Sequence, residues 1–127
     1  MANLTEFVRH LARIKVFEYD FQDIVDEAEK SIVSEEHLPY SSLQFDASTA
    51  TMFVGLLSRR SAKILRSEIS RGAERKLVKK RFDRLRDIIF SLDEEIGRHG
   101  VVVPREEIQA VCLREFQNQR MDYLFEL

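Results

Sequence analysis

Histidine, cysteine and paired acidic residues are the side chains with which this sequence could do acid–base, nucleophilic or metal chemistry. His10, His37 and His99 stand in three distant segments, and none lies four residues from another or three residues after a glutamate, the spacings that gather ligands on a helix. Glu95 lies one helical turn before His99, and a local charge pair at a helix end explains that spacing without catalysis. We therefore expect no metal-binding residue and no catalytic residue.

Cys112 is the single cysteine of the chain. It lies among apolar residues, and free cysteines are often buried, so we expect a structural thiol rather than a nucleophile. A lone cysteine forms no intramolecular disulfide, which favours a reducing compartment, and we predict a cytoplasmic protein. The sequence contains no glycine-rich phosphate loop, no Gly-x-Ser-x-Gly elbow and no calcium loop. We expect no cofactor, and we expect that the protein is not an enzyme.

The composition predicts the class of secondary structure that positions these side chains. Of 127 residues, 44% are apolar and 33% are charged, while glycine occurs four times and proline twice. A chain of this length and apolar content can build one hydrophobic core, and so few turn residues argue against an all-β domain. We predict an all-α fold, a compact bundle of about five helices, in which residues 1–127 form a single helical domain.

Apolar residues at helical spacing locate the first two helices. Asn3 and Glu6 have the form of a capping box at the start of the first helix. Residues 14–19 alternate in part between apolar and polar, so they form either a short extended segment or a continuation of this helix. Asp20 is the predicted N-cap of the second helix, which we expect to end near Ser34.

The middle of the chain begins with a linker-like loop over residues 35–48, where the apolar periodicity is lost and a proline is followed by polar turn formers. Ser48 is the predicted N-cap of a third helix, which Gly72 either bends or ends. A fourth long helix then continues to Gly97, which with the next three residues has the pattern of a C-cap and a tight turn.

The last part of the chain predicts a fifth helix. Residues 101–103 are apolar and are the other place where a short extended segment is predicted, and Pro104 followed by acidic residues is a strong helix start. The apolar residues that follow spread over more than one helical stripe, more than one intramolecular face requires. We therefore predict an oligomer or partner contact at the end of the chain, with the candidate residues Tyr123, Leu124 and Leu127.

Charge is zoned along the sequence. Residues 1–57 hold four Lys or Arg against ten Asp or Glu, residues 58–86 hold twelve against three, and residues 87–127 hold four against nine. The formal net charge is −2 at pH 7. The middle segment, which we call the basic segment, therefore puts a strongly basic surface on one helix or helix pair.

Two interpretations of the basic segment remain open. Its cations could neutralise the phosphates of a nucleic acid and release counterions, or they could pack beside, or across a dimer interface from, the acidic second and fifth helices. A protein partner is favoured, because the field of a net acidic chain does not attract a polyanion. The candidate contacts to nucleic acid or to an acidic partner are Arg59, Arg60, Lys63, Arg66, Lys76, Lys79 and Lys80.

The sequence around the basic segment also carries a resemblance. Its motifs are Arg75-Lys76-Leu77-Val78, Phe82-Asp83-Arg84-Leu85 and Pro104-Arg105-Glu106-Glu107-Ile108-Gln109-Ala110-Val111. The stretch from residue 71 to residue 124 resembles the helical region that precedes the catalytic domain in some bacterial tyrosine recombinases. The resemblance covers less than half of the chain and implies at most a helical DNA-associated module.

These observations predict a function in binding. We expect a non-enzymatic helical module for protein–protein interaction, a small regulatory, adaptor or inhibitor protein that acts through oppositely charged faces, and a homodimer stays open as its oligomeric state. The alternative is a nucleic-acid-binding accessory factor, related to recombination or transcription, that uses residues 58–86. A membrane partner is not expected, because no uninterrupted apolar stretch approaches about 18 residues, and the first residues lack the basic region of a signal peptide.

Overall fold

A computed structural model of the chain describes residues 4–11, 13, 15–16, 19–20, 23, 26, 30 and 45–126. This part of the chain is mostly helical, as predicted for an all-α protein. The bundle of about five helices stays a prediction, because most of the predicted second helix lies outside the described residues. In chain order the elements are α1 (Leu4–Leu11), β1 (Lys15–Val16), β2 (Tyr19–Asp20), α2 (Ala47–Ser70), α3 (Arg75–Phe90), α4 (Leu92–Arg98), α5 (Arg105–Asn118) and a 3-10 helix (Asp122–Glu126).

The N-terminal part is described only in pieces. Strands β1 and β2 pair antiparallel, with Lys15 opposite Asp20, and they lie mostly within residues 14–19, where an extended segment was one alternative. Asp20, the predicted N-cap of the second helix, is the last residue of β2. In the predicted second helix only Asp23, Asp26 and Lys30 are described, and all three are helical. The predicted Asn3 cap and residues 35–44 of the predicted loop lie outside the described residues.

The N-cap of helix α2 lies two residues before the predicted cap at Ser48. Its N-cap is Asp46, whose backbone is extended and whose Oδ1 accepts a 2.8 Å hydrogen bond from the Thr49 backbone N–H. This hydrogen bond lowers the pKa of Asp46 below its ordinary value of 3.8. Ser48 lies inside the first helical turn, so the prediction of a Ser48 cap was wrong, and the loop ends at Asp46 rather than at residue 48.

Gly72 ends the long helix rather than bending it. Helix α2 stops at Ser70, and Gly72 has a φ of +86°, which glycine adopts at little cost. The Ala73 N–H then donates to the Glu68 carbonyl at 3.0 Å, which satisfies one of the last carbonyls of α2. Helix α3 therefore starts as a separate helix at Arg75.

The predicted fourth helix is two helices. Helix α3 ends at Phe90, Ser91 closes it with a hydroxyl that donates to the Asp87 carbonyl at 2.8 Å, and α4 starts at Leu92. Apolar residues keep their helical spacing across Ser91, which is why periodicity did not reveal the break. The predicted turn after Gly97 is present, with Gly100 at a φ of +81°.

The chain reverses after α5 instead of extending that helix. Arg120 has a φ of +57°, and the Met121 N–H donates to the Phe116 carbonyl at 2.8 Å, so the 3-10 helix folds back over the bundle. Leu124 is consequently buried. This reversal accounts for the apolar residues that one helical stripe could not hold. Residues 101–103, where a strand was an alternative, form neither helix nor strand.

The hydrophobic core lies around α2, whose most extensive contacts are with α5 and then with α3. Phenylalanine rings form two clusters within it. At one end Phe7 of α1 stacks on Phe45 at 4.7 Å and meets Phe53 edge-on. At the other end Phe82 and Phe116 both pack against Phe125 of the 3-10 helix.

Candidate interaction surface

The side chains of His99 and Glu95 both contact neighbouring residues. The His99 ring lies edge-on to Phe7 and Phe45 at 5.7 and 5.9 Å, and Glu95 forms an ion pair with Arg98. Within residues 4–11 and 45–126, no group of three or more His, Cys, Asp or Glu side chains stands close enough to hold a metal ion. His37 lies outside the described residues.

The Cys112 thiol is fully buried in the core. Burial raises its pKa from 9.0 to about 11, and a hydrogen bond with Ser58 opposes that rise only in part. The thiol is therefore protonated at neutral pH, whereas a nucleophilic cysteine requires a lowered pKa and access to solvent.

Four of the twelve cations in the basic segment hold the fold together. Arg59 of α2 donates to the buried Glu115 of α5, with 3.1 Å between Nε and Oε1. Arg81 of α3 forms a buried ion pair with Glu68 of α2. The other two, Lys79 and Arg86, form ion pairs within α3. Lys79 pairs with Asp83 and also reaches the 3-10 helix, and Arg86 pairs with Asp83 and Asp87.

Seven other cations of the basic segment point to solvent, and none of them forms an ion pair with a described residue. We call this set the exposed cations: Lys63, Arg66, Arg71, Arg75, Lys76, Lys80 and Arg84. The twelfth cation, Arg60, is half-buried, and its Nε has no hydrogen-bond partner among the described residues.

The seven predicted contact residues thus divide into two groups. Arg59 and Lys79 are committed to contacts inside the molecule: the Lys79 Nζ lies 2.9 Å from Asp83 and donates to the Leu124 carbonyl at 2.8 Å. The predicted contacts Lys63, Arg66, Lys76 and Lys80 belong to the exposed cations, and Arg60 lies between the two groups.

Sequence reasoning missed Arg71, Arg75 and Arg84 as exposed cations. A four-residue spacing places Arg84 on the same face of α3 as Lys76 and Lys80, so that repeat could have revealed it. Arg71 and Arg75 border the turn at Gly72, whose backbone no periodicity predicts.

The acidic cluster at residues 93–95 is paired with two neighbouring arginines. Arg105, at the start of α5, binds Asp93 with two nitrogens at 3.2 Å and approaches Glu94 at 3.4 Å. Glu95 pairs with Arg98 in the same helix. Asp93 and Glu94 therefore tie α4 to α5 through Arg105.

An apolar cleft opens beside the exposed cations. It has a volume of about 390 Å³ and lies between the end of α2, the start of α3 and the 3-10 helix. Of the predicted partner contacts at the C-terminus, Tyr123 lines the cleft and is 44% exposed, Leu124 forms its buried floor, and Leu127 lies outside the described residues. The Leu124 side chain packs in the core of its own chain and reaches the cleft only as its floor, and partner contacts at Tyr123, Leu124 and Leu127 stay a prediction.

No helix among residues 4–11 and 45–126 is long and apolar enough to cross a membrane. Comparison with protein-family models, with curated proteins and with solved structures finds no significant match to this chain.

Proposed function

We propose that this protein is a non-enzymatic interaction module, a small regulatory, adaptor or inhibitor protein that binds an acidic surface of another protein through the exposed cations of α2 and α3. The observation that carries the proposal is that seven cations of one short segment stand in solvent without an ion-pair partner among the described residues. Charge complementarity of this kind steers encounter and selects partners.

Local repulsion on α3 supports an external partner. Lys76, Lys80 and Arg84 are exposed neighbours one helical turn apart, and like charges at that spacing destabilise a helix by a few tenths of a kcal/mol per pair. Asp83 and Asp87, on the same helix, are already engaged by other cations. An acidic partner would offset the repulsion among these three cations, whereas the repulsion contributes nothing to the stability of the fold.

The second candidate function is nucleic-acid binding. It is favoured by the regular line of Lys76, Lys80 and Arg84, which spans about 12 Å along α3 at 1.5 Å per residue and could follow a phosphate backbone. Such binding weakens steeply with salt, because each neutralised phosphate releases counterions.

Affinity capture from a nuclease-treated extract of the host cell tests the proposal. The test variant is Lys63→Glu/Lys80→Glu, and the control with the same change in charge is Arg9→Glu/Arg114→Glu, which alters exposed cations outside the basic segment. We expect a protein that binds the wild type and the control and is lost with the test variant. Capture of the same proteins by all three forms would contradict the proposal.

Fluorescence anisotropy with labelled duplex DNA, at low and near-physiological salt, tests the second candidate. Binding that falls steeply with salt and is lost in Lys63→Glu/Lys80→Glu alone would make nucleic acid the ligand of the exposed cations. Absence of binding at low salt would leave the protein partner as the remaining candidate.

A further inference from the structure

The apolar cleft has the dimensions and lining of a binding site. Its volume of about 390 Å³ falls within the ~300–1,000 Å³ typical of ligand clefts. Its lining is formed by Ile69, Ala73, Val78, Tyr123 and Leu124, with Arg75 as its single charged residue. A small polar ligand would require several converging polar groups, which this lining does not provide.

Two of the lining side chains are large, apolar and exposed. Ile69 is 37% exposed and Tyr123 is 44% exposed, although they belong to elements far apart in sequence. Single exposed apolar side chains are ordinary on protein surfaces, but two that share one concave site form a patch that a partner can bury. Tyrosine is also among the residues most enriched at the energetic centres of interfaces.

The cleft is already formed in the free chain. Val78 and Leu124 are buried beneath it, and the Lys79 ammonium fixes the 3-10 helix by its 2.8 Å hydrogen bond to the Leu124 carbonyl. Phe125, the next residue, packs on Phe82 with ring centroids 4.8 Å apart. A site held in this way loses little entropy when a ligand binds.

The charged side chains near the cleft favour one kind of occupant. Arg75 is the one charged residue in the lining, and the exposed Arg71, Glu74 and Lys76 adjoin it in the chain, whereas Asp122 and the exposed Glu126 lie in the 3-10 helix. Positive charge is therefore concentrated at the turn between α2 and α3. A guanidinium in this position can bind a carboxylate with two parallel hydrogen bonds. An occupant that offers both an apolar side chain and a carboxylate matches the apolar lining and Arg75 together.

We infer that this cleft binds an acidic amphipathic helical segment of another protein, which places a large apolar side chain against Ile69 and Tyr123 and a carboxylate against Arg75. A helix that lays its apolar face in a groove is a common mode of peptide recognition. The inference rests on the proposed function and deepens it by stating the chemistry of the partner.

Anisotropy with two labelled peptides tests the inference. The first peptide carries leucines one helical turn apart among glutamates, and the second carries glutamines in place of the leucines. The test variant Ile69→Asp puts a carboxylate in the cleft, and the control Leu77→Asp makes the same change at a helical position of similar exposure, 40%, outside it. Tyr123→Ala, which removes one wall, is compared with Leu113→Ala, whose side chain is 36% exposed.

We expect the leucine peptide to bind the wild type and Leu77→Asp within about twofold of each other, and Ile69→Asp to weaken that binding about tenfold or more. Tyr123→Ala is expected to weaken it several-fold, and Leu113→Ala to leave it unchanged. Circular dichroism of each variant checks that the helices are retained. The glutamine peptide is expected to bind more weakly than the leucine peptide, because it leaves the apolar lining in water.

Equal binding of the two peptides, insensitive to Ile69→Asp, would overturn the inference and leave the proposed function, which depends on charge alone. In the reverse outcome the cleft binds the leucine peptide, but the Lys63→Glu/Lys80→Glu variant still captures every partner of the wild type. That outcome would support the cleft as a peptide site and refute the proposed function. Self-association abolished by Ile69→Asp would identify a second copy as the occupant, and competition by single-stranded DNA would identify nucleic acid. Either result would overturn the inference.

Discussion

Arg59 tests whether a cation of the basic segment serves the fold or a ligand. Its Nε lies 3.1 Å from the Glu115 carboxylate, and the Glu115 side chain is only 8% exposed. Removing one partner of a fully buried pair costs about 3–5 kcal/mol, and a hydrogen bond to a charged group contributes about 1.5–3 kcal/mol. Because the Arg59 side chain is 42% exposed, solvent screens the pair, and we expect Arg59→Met to lower the free energy of unfolding by roughly 1.5–3 kcal/mol.

Urea denaturation followed by circular dichroism measures this change, and Lys63→Met is the matched control. Lys63 lies one turn further along α2, is exposed and has no ion-pair partner among the described residues, so its loss should change stability by less than about 0.5 kcal/mol. The binding measurement should rank the two variants in the opposite order. Lys63→Met should weaken capture of the acidic partner more than Arg59→Met does.

A second substitution separates the ion pair from the packing of the arginine stem. In the double variant Arg59→Met/Glu115→Leu no buried carboxylate is left without its partner, so much of the stability lost in Arg59→Met should return. The reasoning would be refuted if Arg59→Met unfolded at the wild-type urea concentration and lost partner binding as Lys63→Met does. Arg59 would then be a ligand contact, as the sequence predicted.

Three further predictions concern the core and the start of α2. Burial raises the pKa of Cys112 from 9.0 to about 11, so ionisation of the thiol at high pH favours the unfolded chain. The wild type should therefore lose about 2 kcal/mol of stability relative to Cys112→Ala as pH rises from 9 to 11 in denaturation titrations, and parallel curves would contradict the buried thiol. Asp46→Ala should cost about 1 kcal/mol at pH 7 by thermal denaturation. This cost should diminish as pH falls from 3.8 through the lower pKa that the Asp46 carboxyl has in the folded protein. An equal cost for Ser48→Ala would restore the Ser48 cap. Gly55→Ala should stabilise the protein by roughly 0.5–1 kcal/mol, because alanine favours a helix interior over glycine and its methyl fits at 3.4 Å from Val111. The larger Gly55→Val should destabilise the protein in urea denaturation, and a harmless valine would argue against close packing of α2 on α5.

Periodicity located the long helices well because their apolar residues serve one core. The residues that fill α2, α3 and α5 recur every three or four positions, and the positive φ of Gly72 lies at the turn where a break was one of two alternatives. A break between two helices could not be predicted where the apolar residues keep the same helical spacing on both sides of it. Ser91 ends α3 through a local hydroxyl bond, and the apolar spacing continues across it into α4.

The candidate site was harder to predict, because it depends on contacts between residues that are distant in sequence. Arg59 and Glu115 are 56 residues apart, and Lys79 meets the Leu124 carbonyl 45 residues away. No local pattern distinguishes these two cations from Lys63 or Lys80, which face solvent. The cleft depended on the backbone reversal at Arg120, which changed the predicted end of a straight helix into one wall of a concave site.

Charge density along the chain and the charge that a partner meets are therefore different quantities. The acids of the 93–95 cluster are paired with Arg98 and Arg105, while seven cations of the basic segment are exposed without an ion-pair partner among the described residues. A chain with a formal charge of −2 therefore presents a locally basic surface at the turn between α2 and α3. The apolar cleft opens at that same turn. In the proposed complex the two features have different effects, because exposed charges mainly accelerate association, whereas buried apolar contacts mainly slow dissociation. A partner that matched only the charge would arrive quickly and leave quickly, and selectivity for one partner would then depend on the side chain that enters the cleft.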